Sequence, residues 1–186
     1  MGFAARKANR LKGYDYSNRG AYFVTVCSAG KEQVFGSISP CVKSIPANVG
    51  DVGDGAHTVP HCSPGHIKLS LCGQIAKAHL ERIAGIDKYV IMPNHIHMII
   101  LIECGRAPED WTMWASSPTE TNTNGVQSIS QRIASFKTLV TKEYGHSVWQ
   151  RSFYDHVIRD YDDYIRIWEY IDTNPAKWEQ DRFYIE

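Results

Sequence analysis

The sequence predicts an α+β fold in which an antiparallel sheet carries helices on its flanks. β-Rich runs alternate with segments of helical apolar spacing, in the order strand, helix, paired strands, helix, strand, helix. Two of the strands follow each other across a Pro-Asn dipeptide that favours a turn. The 186 residues include 43% hydrophobic and 22% charged residues, so we expect one well-cored globular domain over 1–186.

The first strand is predicted in residues 21–35, where aromatic and β-branched residues alternate before a polar turn that contains glycine. Residues 36–65 are rich in Gly, Pro, Ser, Asp and Asn, which predicts a surface insertion. The short alternating run at 66–71 is suited to pairing at a sheet edge. Apolar residues then recur at helical spacing and predict the first helix over 71–85: Ile75, Ala76, Leu80 and Ile83.

Residues 87–102, DKYVIMPNHIHMIILI, are two β-rich runs that meet at Pro93-Asn94, and they predict two core strands. The polar stretch 107–127 is predicted to be a mobile loop. A second helix over 129–145 follows from apolar residues at helical spacing: Ile129, Ile133, Phe136, Leu139 and Val140.

The last two elements are a strand and a helix. Residues 147–158 contain VWQRSFYDHVI, which predicts a strand. Asp160 is suited to cap the following helix, and Pro175 should end that helix near Asn174.

Composition excludes several classes of protein. Lysine plus arginine equals aspartate plus glutamate at 20 each, so any nucleic-acid site must be a local basic patch. The five cysteines form no CxxC pair, which favours reduced thiols over a disulfide framework. The longest apolar stretch is interrupted by proline, asparagine and histidines, so we expect no membrane span. The basic start lacks the apolar core of a secretory signal, so we expect a cytoplasmic protein.

A His-x-His pair is the first candidate for chemistry. Side chains alternate along a strand, so His95 and His97 should leave one face of the sheet while Ile96 leaves the other. Imidazole is a common ligand for divalent metals, but two imidazoles supply only part of a coordination shell. Taken alone, the pair is more typical of two buried histidines that hydrogen-bond to their neighbours.

The last helix offers partners for this pair. Tyr170 and Asn174 are four residues apart, so they project from one helix face on consecutive turns. A metal held by the two histidines and the Asn174 carbonyl oxygen could polarise a phosphate while the Tyr170 phenol attacks phosphorus. Most tyrosines on an amphipathic helix simply pack, and Tyr161 and Tyr164 are rival candidates on the same helix.

Two stretches resemble a known family. YVIMPNHIHMIILI is similar to the histidine-hydrophobe-histidine (HUH) motif of single-tyrosine transposases. WQRSFYDHVIRDYDDYIRIWEYIDTNPAKW resembles the tyrosine segment of the REP-associated tyrosine transposase branch. The resemblance implies that Tyr170 is the nucleophile, that His95 and His97 are metal ligands and that Asn174 is the third. Residues 36–65 and 107–127 lie outside it.

The same resemblance implies a ferredoxin-like fold and dependence on Mg²⁺ or Mn²⁺. The expected partner is hairpin-forming single-stranded DNA at the ends of a mobile or repeated element. Cleavage and rejoining would pass through a covalent 5′-phosphotyrosine with a free 3′-hydroxyl. The resemblance leaves both a monomer and a homodimer open, and when bound to DNA the protein would lie at the nucleoid.

Three cations are predicted to contact DNA: Lys137 in the second helix, and Arg151 and Arg159 around the last strand. They would meet phosphate oxygens if they face the histidines, and they are ordinary surface charges if they do not.

Two alternative functions remain. The first is another HUH enzyme, a replication initiator or a relaxase, with the same metal and tyrosine chemistry. The second is a domesticated DNA-hairpin-binding protein that keeps the fold without cleavage.

Overall fold

The computed structural model describes residues 16–38, 67–102 and 127–185. Four strands form an antiparallel sheet in the order β4-β5-β1-β6. Their bounds are Gly20–Cys27 for β1, Ile86–Ile91 for β4, His95–Ile102 for β5 and Tyr154–Ile158 for β6. Together with two helices, they run strand, helix, strand, strand, helix, strand along the chain, which is the ferredoxin-like arrangement.

Three α-helices cover the two faces of this sheet. The helix bounds are Leu71–Leu80 for α1, Ile129–Tyr144 for α2 and Tyr161–Thr173 for α3. α1 and α2 pack with Ile96, Met98 and other even-numbered residues of β5 in one apolar cluster. α3 packs with Ile99 and Leu101 in a second cluster on the other face. β5 is therefore a central strand, buried at every position.

Side-chain caps fix where the helices begin. The Ser70 hydroxyl accepts from the Gly73 amide at the start of α1, and Asp160 caps α3 as the sequence predicts. Ser128 and Gln131 form a reciprocal capping box at the start of α2.

The chain remains helical beyond the end of α3. A 3₁₀ helix over Asn174–Gln180 follows without a break, with Pro175 in its first turn. α3 therefore ends at Thr173, next to Asn174, as the position of Pro175 leads us to expect, and the chain continues as a 3₁₀ helix.

Three elements are shorter than the sequence predicts. β1 ends at Cys27 because a short 3₁₀ turn follows, in which Gly30 and Lys31 have positive φ. α1 ends at Leu80, before Gly85 at φ 77, whose carbonyl accepts from the Leu101 amide. The predicted strand over 147–158 is regular only in β6, because Ser152 has a φ of 71 and interrupts it.

Two short strands pair with each other at the ends of the predicted surface insertion. β2, Gly36–Ile38, pairs with β3, Ile67–Leu69, in a separate two-stranded antiparallel sheet. Within the run at 66–71, the residues Ile67–Leu69 therefore pair with β2, in a sheet separate from the main one. Residues 39–65 of the insertion and 107–126 of the predicted loop lie outside the described residues, and the extent of one domain over 1–186 stays a prediction. No helix in the described ranges is both long and apolar enough to cross a membrane.

Candidate active site

His95 and His97 are the first and third residues of β5, and both are fully buried. Their rings lie 4.4 Å apart between centroids, on the face of the sheet that α3 covers. Ile96 between them belongs to the cluster on the opposite face. The two imidazoles therefore leave one face of the sheet, as strand alternation predicts.

Asn94 fixes the protonation of His95. The Asn94 Nδ2 donates to the carbonyl oxygens of Lys31 and Phe183, at 3.1 and 2.8 Å, which sets the orientation of the amide. Its Oδ1 lies 2.8 Å from the Nδ1 of His95. Because a carbonyl oxygen can only accept, Nδ1 carries the proton and Nε2 keeps a lone pair. That Nε2 is buried and has no hydrogen-bond partner among the described residues, as expected of a nitrogen that receives a metal.

His97 links the sheet to the last helix. Its Nδ1 lies 2.8 Å from the hydroxyl of Thr25, which is its register partner on β1. Its Nε2 lies 3.2 Å from the hydroxyl of Tyr170. The imidazole is thereby held from one side and faces the tyrosine on the other.

Tyr170 is the tyrosine of α3 that reaches the histidines. Its ring lies 5.2 Å from that of His97, edge-on to Phe23, and the side chain keeps 39% of its surface exposed. Tyr164 is instead buried among apolar residues and donates to Asp87 at 2.6 Å. Tyr161, at the first position of the helix, is half exposed. Of the three candidates, Tyr170 is the one placed for chemistry with the histidines.

Asp181 is a site residue that the sequence interpretation missed. Its Oδ2 accepts from the Tyr170 hydroxyl at 3.1 Å and from the Asn174 Nδ2 at 2.9 Å. Ligand atoms of His95, His97 and Asp181 all lie within 4.8 Å of one another, so the three could hold a metal ion. The available signal was an acidic residue shortly after the Asn-Pro pair, since carboxylates are common metal ligands.

Asn174 lies beside this group, buried at the junction of α3 and the 3₁₀ helix. Its Nδ2 is used by Asp181, and its Oδ1 is buried without a hydrogen-bond partner in the described part of the chain. An amide oxygen that lacks a donor fits a cation better than it fits an apolar contact. The role of third ligand predicted for Asn174 stays a prediction.

The surroundings keep the histidines neutral. Phe183 and Trp178 pack on the His95 ring, at 4.6 and 5.9 Å between centroids. Burial lowers the pKa of His95 to about 4, although the charge of Asp181 opposes this. Burial also holds the pKa of His97 well below its usual range, with His95 adding to the effect. Neutral imidazole is the form that binds metals.

The tyrosine is also kept neutral. Burial, and then the charge and the hydrogen bond of Asp181, raise the pKa of Tyr170 to about 12. Arg182 acts in the opposite direction on the same group. At neutral pH the phenol therefore keeps its proton until a base removes it.

The three predicted DNA contacts lie in different environments. Lys137 donates to the carbonyl oxygens of Gln150 and Ser152, and burial lowers its pKa to about 8. It thus holds the segment before β6 against α2. Arg151 and Arg159 are exposed on either side of β6. Contact of these three residues with DNA stays a prediction.

Comparisons with known proteins relate this chain to a sequence relative and to a solved structure. An uncharacterised protein from Haemophilus influenzae is 33% identical over 199 residues, which covers 100% of this chain and 96% of that protein. No family model matches the chain. A solved REP-associated tyrosine transposase bound to a REP hairpin has a TM-score of 0.50 and 18% identity, over 93% of this chain and 77% of that chain. The likeness to that structure confirms the predicted fold class.

Proposed function

The chain belongs to the same family as the Haemophilus influenzae protein, and we propose that it is a metal-dependent transposase that cleaves and rejoins single-stranded DNA. One observation carries the proposal: the Tyr170 hydroxyl lies 3.2 Å from His97 Nε2 and 3.1 Å from Asp181 Oδ2. A nucleophile, a metal-ligand pair and a proton acceptor thus meet at one point.

The proposed substrate is a DNA hairpin with single-stranded flanks. The solved transposase that shares the fold is bound to a REP hairpin, which supports this class of substrate. The proposed reaction takes place at hairpin ends of a mobile or repeated element, and the location in the cytoplasm belongs to the same proposal.

We assign the metal to the two imidazoles and the oxygens beside them. His95 and His97 would bind through Nε2, with Asp181 and the Oδ1 of Asn174 as the oxygen ligands. Nitrogen and oxygen donors together suit Mn²⁺ and Mg²⁺. A bound divalent ion would stabilise negative charge on the non-bridging phosphate oxygens.

Tyr170 is the nucleophile of the proposed reaction. Its Oη forms a bond to phosphorus while the bond from phosphorus to the 3′-oxygen breaks, and that oxygen takes a proton from solvent water, which leaves a 5′-phosphotyrosine and a free 3′-hydroxyl. Because the pKa of Tyr170 is about 12, its proton must leave as the new bond forms. Asp181 Oδ2 already accepts the hydrogen bond of this hydroxyl, so it is the proposed acceptor of the proton.

Rejoining is the reverse reaction. A 3′-hydroxyl attacks the phosphotyrosine and gives its proton to solvent water, the bond to Tyr170 breaks, and the phenolate takes a proton back from Asp181. One phosphodiester is lost and one is formed, so no external energy source is needed. Tyr170 keeps 39% of its surface exposed, which supports the approach of a strand to this side chain without unfolding of α3.

A covalent-adduct assay tests the proposal. The protein is incubated with a labelled single-stranded DNA hairpin and Mn²⁺ or Mg²⁺, and the products are separated on a denaturing gel. We expect an adduct with the wild type, none with Tyr170→Phe, and DNA binding in both. Tyr161→Phe and Tyr164→Phe are matched controls that should keep the adduct.

Three other results of these assays would change the proposal. An adduct that survives in Tyr170→Phe moves the nucleophile to Tyr161 or Tyr164. Hairpin binding by the wild type without any adduct rejects the enzyme and favours the binding protein. Cleavage of a replication origin or a transfer origin in place of a hairpin end favours the initiator or relaxase.

A further inference from the structure

Two cations beside the candidate active site have no carboxylate partner among the described residues: Lys31 and Arg182. Some other cations in the same part of the chain form ion pairs with acids: Lys77 with Glu81, Lys88 with Asp172, and Arg166 with Asp163. In a chain with as many acidic as basic residues, unpaired cations next to a site are a local excess of positive charge.

Both cations lie against one ring. The Lys31 Nζ is 5.7 Å from the centroid of Phe183, and the Arg182 Cζ is 4.5 Å from it. Phe183 in turn packs on His95 at 4.6 Å between ring centroids. The two charges are therefore separated from a candidate metal ligand by a single aromatic side chain.

The backbone holds Lys31 in an uncommon conformation. Its φ is 59, in the left-handed region that a residue with a Cβ seldom adopts. The Asn94 Nδ2 binds the Lys31 carbonyl oxygen, and the Lys31 Nζ lies 3.5 Å from the carbonyl oxygen of Arg182. These contacts connect the turn after β1 with the C-terminal segment, so the two cations are placed by the same network that orients His95.

An exposed aromatic residue extends this cationic surface. Tyr154, at the start of the edge strand β6, keeps 38% of its surface exposed. The Arg182 Cζ is 5.8 Å from its ring centroid, and the Phe183 ring is 6.2 Å away. Cations without a carboxylate partner, combined with a partly exposed aromatic ring, are the usual components of a single-strand binding surface.

We propose that Lys31, Arg182 and Tyr154 form the track along which a single DNA strand approaches Tyr170. The two cations bind phosphate oxygens of the strand next to the scissile phosphate, and Tyr154 stacks on a base. The inference rests on the proposed function, because it names the surface by which the substrate reaches that same site.

Salt dependence of binding tests the two cations. A fluorescent DNA hairpin with single-stranded flanks is titrated at several NaCl concentrations, with every variant made in a Tyr170→Phe background to prevent cleavage. Each phosphate contact contributes about 0.7 to the slope of log Kd against log salt for a single strand. We expect the slope to fall by about 0.7 in Lys31→Ala and in Arg182→Ala, and by about twice that in the double variant.

Matched variants separate this effect from general charge or instability. Lys77→Ala and Arg82→Ala remove cations from the region of α1, on the other side of the sheet, and should leave the slope unchanged. Arg182→Lys keeps the charge and should keep the slope. A thermal melt of each variant identifies any loss of folding.

Tyr154 is tested by a different readout. Tyr154→Ala should weaken binding about tenfold with an unchanged salt slope, and Tyr154→Phe should restore it, because stacking needs only the ring. The track is rejected if the double cation variant keeps the wild-type slope, or if the two controls lower the slope equally. If the salt slopes change as expected but the wild type forms no adduct, the proposed catalysis is rejected and the track is kept. If the adduct forms but the slopes do not change, the track is rejected and the proposed catalysis is kept.

Discussion

Asn94 Oδ1 accepts a hydrogen bond from the Nδ1 of His95 at 2.8 Å, and this contact decides which nitrogen of the histidine is free. The same amide holds the carbonyl oxygens of Lys31 and Phe183. One side chain therefore orients a candidate metal ligand and fastens the two segments that surround it. Outer contacts of this kind are commonly as important to a metal site as the ligands themselves.

Asn94→Ala should lower the affinity for Mn²⁺ by about 10- to 100-fold, because the His95 ring loses its orientation and its fixed tautomer. Isothermal titration without DNA measures the affinity, and nitrogen NMR of the histidine ring reports the tautomer. Asn94→Asp should preserve the tautomer, since a carboxylate also accepts from Nδ1, but it should destabilise the fold because it cannot donate to the two carbonyls.

A destabilising variant far from the site serves as the control for Asn94. Ser128→Ala removes the capping box of α2 and should cost about 1 kcal/mol of stability. Its Mn²⁺ affinity should stay at the wild-type value. Equal losses of affinity in Ser128→Ala and Asn94→Ala would show that the effect comes from stability alone.

Asp181→Asn should slow adduct formation by about 100-fold, because the phenol loses the acceptor of its proton. The change should also lower the pKa of Tyr170, since the charge and the hydrogen bond of the carboxylate raise it. Carbon NMR of the labelled tyrosine ring follows that titration. Glu179→Gln, an exposed acid in the same segment, is the matched control. An unchanged rate in Asp181→Asn would exclude this residue as the base.

Asn174→Ala should weaken Mn²⁺ binding by at least about tenfold if the buried Oδ1 is a ligand. Titration of the metal into Asn174→Ala and Asp181→Ala separates the two oxygens. A loss confined to Asp181→Ala would make Asn174 a positioning residue that only donates to the carboxylate.

Acid should destabilise the metal-free protein. The ordinary pKa of histidine is 6.5, and burial lowers that of His95 to about 4 and that of His97 in the same direction. Between those values the unfolded chain binds more protons than the folded chain, so the free energy of unfolding decreases as pH falls from about 6.5 towards 4. Urea denaturation in EDTA at several pH values measures the trend.

The double variant His95→Gln/His97→Gln is the control for the acid effect. It removes the two buried imidazoles, so its stability should vary less with pH over that range. If its pH dependence matches that of the wild type, other groups cause the acid effect.

The sequence predicts the parts of the site that depend on local periodicity. Alternation along a strand places His95 and His97 on one face, and helical spacing places Tyr170 above Asn174. Asp181 could not be found in this way, since it lies beyond the helix in a segment without a repeating pattern. Its position depends on Trp178 and Phe183 packing around His95, which is a contact between distant parts of the chain.

Element lengths were predicted less well for a related reason. The predicted range of the first strand continues through the polar turn after Cys27 to Val34 and Phe35, so it is longer than the strand in the structure. The 3₁₀ turn that follows β1 ends at Lys31, which has a backbone conformation that its side chain does not favour, and the Asn94 amide from the turn before β5 donates to the Lys31 carbonyl oxygen. The local sequence pattern gives no information about such a contact between distant residues.

Ile38 and Ile67 are register partners, so two positions that are far apart in the sequence are held beside each other. The pairing fixes both positions relative to α1, which begins at Leu71. Because the entropy of closing a chain segment grows only slowly with its length, residues added or removed between Ile38 and Ile67 should cost little stability. The same point is a natural place to graft a foreign peptide while the tyrosine and the histidines keep their positions.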